Sequence, residues 1–207
     1  MKRAKRMECF RPSIFTRLEE EKQRQQKLGK TMIDFSIGSP DIAPARHIID
    51  ALCTEVEKPE NYRYAIHDLP QLQTAIAAWY ERRYQVSLDG QKEILTLQGS
   101  QEALANIALT ICDPGDYVLV PDPYYPIFAD GPRLAGAKVW FMPMREKNDF
   151  LIRFDEIPQE IAEKASLMIV SYPNNPTGAT ADDRFYEELI AFARRYDIAV
   201  LHDNAYS

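Results

Sequence analysis

The stretch Leu167-Met168-Ile169-Val170-Ser171-Tyr172-Pro173-Asn174-Asn175-Pro176-Thr177-Gly178 decides how the rest of the chain is read. Its first four residues form an unbroken apolar run. A run of that length, apolar on both sides, is expected of a strand inside a sheet whose two faces are both covered. Its last six residues are turn-formers: Pro173 and Pro176 bracket the asparagines and fix the loop, and Gly178 permits positive φ. A second segment repeats the arrangement, with apolar Ile198–Leu201 running into His202-Asp203-Asn204-Ala205-Tyr206. Both loops therefore lie where buried strands end, the side of an α/β sheet on which ligands bind. An amide from Asn175, a carboxylate from Asp203 and a phenol from Tyr206, brought together there, can grip a heteroaromatic ring through its nitrogen and its hydroxyl.

Outward from these loops, the chain from Glu93 onward alternates strands with helices. Ile94–Leu97, Tyr117–Val120 and Lys138–Met142 read as further strands. Gln101–Ile111 reads as a helix bearing Leu104, Ile107, Ala108 and Ile111, and residues 182–196 read as another. Thr180 and Asp183 have the spacing of a capping box for that last helix. An irregular helical stretch separates the second and third of these strands, and Arg145 to Pro158 is the most loop-like interior segment. The fold class is α/β, a mainly parallel sheet with helices on both faces.

The first third is more helical. Ser13 to Leu28 predicts a polar helix closed by Gly29, whose apolar side is narrow and needs another surface to cover. A short strand over Ile33–Ile37 runs into Gly38-Ser39-Pro40-Asp41. One helix follows Pro44 and another spans Pro70 to Tyr84, where Leu72, Ala75, Ile76, Trp79 and Tyr80 fall on one face. Residues 1–32 read as an N-terminal arm and helix, and residues 33–207 as one large domain. Composition agrees with a globular protein at 45% hydrophobic and 27% charged residues. A net charge of −6 argues against a general nucleic-acid-binding surface. The basic cluster Lys2, Arg3, Lys5 and Arg6 reads as a solvated tail. No apolar core of a signal peptide follows it, and no segment reaches bilayer-spanning length, so a cytoplasmic location is expected. Three cysteines and three histidines are scattered without metal-ligand spacing, so no metal site is indicated.

The two strand-end motifs, Asn-Pro-Thr-Gly and Asp-x-Ala-Tyr in that order, resemble those of the class I/II, fold-type I aminotransferases, which depend on pyridoxal 5'-phosphate. The resemblance runs from about Ile33 to Tyr206. Within the family it is nearest to the branch containing LL-diaminopimelate and related aminotransferases, whose flavour both Asp122-Pro123-Tyr124-Tyr125-Pro126 and His202–Ser207 share. The resemblance implies transamination between an amino acid and a 2-oxo acid, and a homodimer.

That cofactor makes four chemical demands, and each finds a candidate. Gly99-Ser100-Gln101 joins a strand to a helix, so free amides at the helix start, with the Ser100 hydroxyl, suit a phosphate. Tyr125, held between prolines, offers a rigid face for stacking. Asp203 suits the ring nitrogen, because a carboxylate beside it favours the protonated form that draws charge from the substrate carbon. Asn175 and Tyr206 can donate to the ring hydroxyl. By resemblance, Gly38 contacts the substrate carboxylate through its backbone, Asn175 touches that carboxylate too, and Tyr64 reaches the neighbouring subunit's phosphate, with Tyr62 its competitor. Where the family has glycine before the Leu-Pro pair, this chain has Asp68. The resemblance also implies a lysine, downstream of Asp-x-Ala-Tyr, that holds the cofactor. Lys138, Lys147 and Lys164 all precede the Asn-Pro-Thr-Gly loop. The 207 residues therefore read as the N-terminal portion of such an enzyme, with no catalytic residue of their own and inactive by themselves. A pyridoxal-phosphate β-lyase and a non-catalytic cofactor-binding domain remain alternative readings, since both share these motifs.

Overall fold

A computed structural model describes residues 2–10, 12–35 and 38–206. The chain divides into two compact units, one of Ile14–Leu97 and one of Met1–Ser13 with Gln98–Ser207.

In the first unit the polar sequence after Ser13 forms α1 (Ile14–Lys27), and the helix stops just before Gly29, whose amide donates to the Gln26 carbonyl at 2.9 Å. Next come α2 (Arg46–Val56) and α3 (Pro70–Tyr84). Pro70 opens α3 at a position whose N–H would be unpaired anyway. Trp79 meets Tyr80 and Tyr84 edge to face, with centroids 5.4 and 5.2 Å apart. No residue of α1, α2 or α3 is buried, and on the expected apolar face of α3 Ile76 is half-buried while Leu72, Trp79 and Tyr80 are exposed.

The strand expected over Ile94–Leu97 does not form. Two of its backbone groups are engaged by side chains instead of a neighbouring strand: Thr96 N donates to the Asp68 carboxylate at 3.0 Å, and Gln73 Nε2 donates to the Ile94 carbonyl at 3.5 Å. Thr96 Oγ1 adds a bond to Asp68 at 2.6 Å, and these donors hold the Asp68 carboxyl below its ordinary range. Residues 33–35 likewise form no strand, and Ser36 and Ile37 lie outside the described residues.

The second unit carries α4 (Ser100–Ile111), β1 (Tyr117–Asp122), α5 (Ile127–Ala135), β2 (Lys138–Pro143), α6 (Gln159–Ala162), β3 (Ala165–Val170), α7 (Asp183–Tyr196) and β4 (Ala199–His202). The strands lie in the order β2-β1-β3-β4 and every pairing is parallel. Alternating side chains serve two cores. Val118, Val120, Leu167 and Ile169 pack with Leu104, Ala108 and Phe128 from α4 and α5. Leu119, Met168 and Val170 pack with Met142, Ile152, Ile157, Phe185 and Leu189 on the opposite side. Burying one such side chain is worth about 1.5–3 kcal/mol.

Three local findings differ from the sequence reading. The α7 cap is Asp182, whose carboxylate accepts from Phe185 N at 3.0 Å, and not Thr180, because Asp182 stands the right three residues ahead of an unpaired amide. The loop-like segment after Arg145 is tethered: the buried Tyr172 hydroxyl accepts from Ile152 N at 3.1 Å and donates to the Phe150 carbonyl at 3.2 Å. The basic N-terminal cluster is exposed as a solvated tail would be, except that Arg6 Nη1 donates to the Leu134 carbonyl at 3.0 Å, a cation placed at the C-terminal end of α5. Among the described residues no helix is long and apolar enough to cross a membrane.

Candidate functional site

A parallel sheet sends all its strands' carboxyl ends to one edge. The order β1-β3-β4 therefore places three loops side by side there, at strand spacings of about 4.8 Å. They are Asp122–Pro126 after β1, Ser171–Gly178 after β3 and Asp203–Tyr206 after β4.

The middle loop is shaped by Asn174, a residue the sequence analysis passed over. Its side chain is 4% exposed. Its Oδ1 accepts from Thr177 N at 3.2 Å and from Thr177 Oγ1 at 2.8 Å. Its backbone N–H donates to the Ala179 carbonyl and its carbonyl accepts from Gly178 N, both at 2.8 Å. Gly178 has φ 72°, as the turn reading expected. These bonds leave the half-buried Asn175 on a closed turn, while the Asn174 Nδ2 group is buried with no hydrogen-bond partner among the described residues. The signal for Asn174 was its place beside Asn175 between two prolines, but its burial depends on the fold.

Asp203 is fixed by its own backbone, whose N–H donates to the Val170 carbonyl at 2.8 Å. Its carboxylate is half-buried, and among the described residues no hydrogen bond reaches it. Burial pushes its carboxyl above the ordinary value, with the neighbouring His202 pulling the other way. Tyr206 closes the same loop and is exposed.

On the β1 side Tyr124 stacks on Phe141 with centroids 5.1 Å apart, which occupies one of its faces. Tyr125 meets Phe128 edge to face at 5.9 Å and donates from its hydroxyl to Gln101 Oε1 at 3.2 Å. That bond joins the tyrosine to the first turn of α4, twenty-four positions earlier in the chain. The N-terminus of α4 has no side-chain cap. Glu102, in the first turn, accepts from Gln98 N at 2.8 Å, while Gly99, Ser100 and Gln101 are exposed. Amides at such a helix start suit an anion.

Ser100, Gln101, Tyr125, Asn175, Asp203 and Tyr206 thus belong to one unit, and the sheet brings the last four to its carboxyl edge. Gly38 and Tyr64 belong to the Ile14–Leu97 unit. There Tyr64 is 96% exposed, whereas the Tyr62 hydroxyl donates to the Val56 carbonyl, which leaves Tyr64 the freer phenol of the two. His202 was also passed over: its Nε2 lies 3.1 Å from the Tyr172 carbonyl and its ring packs against Tyr186 with centroids 5.6 Å apart.

Comparison with known proteins gives the family and the fold of the chain. The model of the family "Aminotransferase class I and II" matches residues 30–207. LL-diaminopimelate aminotransferase of Moorella thermoacetica is 44% identical over 208 aligned residues, covering 100% of this chain and 53% of that protein. Among solved structures, the substrate-bound BacF of Bacillus subtilis superposes with a TM-score of 0.91 at 33% identity, covering 98% of this chain and 52% of that one. A probable N-succinyldiaminopimelate aminotransferase of Thermus thermophilus gives 0.88 at 37% identity, over 94% and 52%. The chain spans about half the length of the curated relatives it matches.

Proposed function

The chain belongs to the class I and II aminotransferases, and from that premise we propose that it carries the cofactor cradle of an enzyme exchanging an amino group between an amino acid and a 2-oxo acid. The family works with pyridoxal phosphate, which when bound supplies the electron sink for chemistry at an amino-acid α-carbon. The observation that carries the reading is the Asp203 carboxylate, half-buried at the carboxyl edge of the sheet with no hydrogen-bond donor among the described residues. A partly desolvated carboxylate is favoured by a protonated partner, and a pyridine nitrogen can be one. The residues present fit the group.

In this reading Asp203 holds a proton on the ring nitrogen, and Asn175 and Tyr206 donate to the ring hydroxyl. Tyr125 covers one face, its hydroxyl held by Gln101, while the first amides of α4 and the Ser100 hydroxyl bind phosphate. Asn175 orients the substrate carboxylate; the family resemblance alone gives Gly38 a backbone contact to a substrate carboxylate and Tyr64 a contact made from a second copy of the chain in a cytoplasmic homodimer. The names of the relatives support a diaminopimelate-type substrate and a role in amino-acid biosynthesis.

The test is amino-group transfer by the intact protein, followed with labelled LL-diaminopimelate and 2-oxoglutarate. Label appearing in glutamate only when both substrates are present supports the proposal. An intact protein that moves no label to glutamate but releases a thiol, ammonia and a 2-oxo acid from an amino acid bearing sulfur on its β-carbon, with no 2-oxo acid added, would instead point to a C–S β-lyase and refute it.

A further inference from the structure

We infer that His202 is a positioning residue of this site, locking the Asp203 strand end to the loop that carries Asn175; the inference rests on the cofactor reading above. His202 is the last residue of β4 and pairs in register with Val170. Backbone pairing between the two strands continues as far as Asp203 N, which donates to the Val170 carbonyl at 2.8 Å. Pro173, two residues beyond Ser171, has no N–H with which to extend a ladder. The Tyr172 carbonyl, just before that proline, takes the His202 side chain instead, with Nε2 at 3.1 Å. A carbonyl oxygen only accepts, so Nε2 carries the proton, which fixes the ring's orientation and its Nε2–H form.

Tyr186 of α7 flanks the imidazole at 5.6 Å with a 56° tilt, so the ring is held from a second side. One side chain thereby links the residue before Asp203 to the residue before Pro173-Asn174-Asn175. The group facing the ring nitrogen and the group facing the ring hydroxyl are set relative to each other by this bond. His202 touches neither cofactor nor substrate in this account and acts through those two segments.

The experiment compares wild type, His202→Ala and His202→Gln in the intact protein, each freed of cofactor and titrated with pyridoxal phosphate. Cofactor affinity, the visible circular dichroism of the bound cofactor and the melting temperature of the free protein are read. Losing one hydrogen bond corresponds to about a three- to tenfold weaker cofactor affinity in His202→Ala. The visible dichroism, which reports the orientation of the cofactor, should fall as well. His202→Gln, whose amide N–H can reach the same carbonyl, should recover most of both signals. Unchanged affinity and dichroism in His202→Ala overturn the inference alone, as does a His202→Gln no better than alanine. A loss confined to the melting temperature overturns it too, since that is what a merely structural residue would give. A wild-type protein that takes up no cofactor overturns the cofactor reading and this inference together.

Discussion

At the scale of single residues the account turns on Asp203. Its partial burial disfavours the charged carboxylate in the free protein, and on the proposed reading the same carboxylate serves the ring nitrogen in the loaded one. Replacing it by alanine is expected to lower kcat at least ~10²-fold, the order of magnitude lost with one charge-stabilising group, while phosphate and stacking contacts retain much of the cofactor affinity. Turnover near wild type, measured alongside cofactor content, would remove Asp203 from the mechanism. The pH dependence has a definite sign. Burial holds the folded carboxyl above its unfolded value, so the folded form keeps a proton that the unfolded chain has already released. Stability of the cofactor-free protein from this group therefore falls as pH rises from the ordinary carboxylate value to the raised one, and stays lower above both. Asp203→Asn should melt at a higher temperature than wild type at neutral pH, with the difference vanishing at pH values below the ordinary carboxylate range. Equal melting temperatures at neutral pH would contradict the burial argument.

At the scale of elements, the proposed phosphate-binding end of α4 depends on how closely α4 meets α5. A Cβ added at Gly131 would lie 2.6 Å from the Leu104 carbonyl oxygen and 3.0 Å from that of Ala105, both backbone atoms that cannot swing aside. Gly131→Ala is expected to cost about 1–3 kcal/mol in urea unfolding by forcing the helices apart. It should also weaken cofactor binding by moving Ser100 and Gln101, and an unchanged unfolding midpoint would be inconsistent with that packing. The elements differ in how well their residues announced them. The runs 117–120, 138–142, 167–170 and 198–201 were legible as strands because each is dominated by apolar residues; β1 and β3 are buried as such runs imply, whereas β4, last in the sheet, leaves Ala199, Val200 and His202 exposed instead of being the buried strand expected. Ile94–Leu97 looked the same yet forms no strand, since a strand needs a paired neighbour and Asp68 and Gln73 satisfy part of its backbone instead. The cap of α7 was misplaced by two residues because Thr180, Asp182 and Asp183 are all competent caps and only geometry chooses among them. In the site, Asn175, Asp203 and Tyr206 stood in recognisable motifs. Asn174 and His202 did not, because their roles come from burial and from a bond spanning thirty residues.

At the scale of the whole molecule, α3 presents Leu72, Trp79 and Tyr80 at its surface, and Tyr64 is almost fully exposed. We predict that the intact protein sediments as a homodimer at micromolar concentration, with Tyr64→Phe weakening cofactor affinity. A fully active monomer would refute this. The central claim is that the carboxyl edge of the β1-β3-β4 sheet is the cradle and that Asp203 serves its ring nitrogen. The most direct measurement is a crystal structure of the intact protein grown with pyridoxal phosphate. The account predicts the pyridine nitrogen within hydrogen-bond reach of Asp203, the ring hydroxyl beside Asn175 and Tyr206, and the phosphate at the first turn of α4. A cofactor bound elsewhere, or bound at this edge with its nitrogen turned away from Asp203, would contradict it.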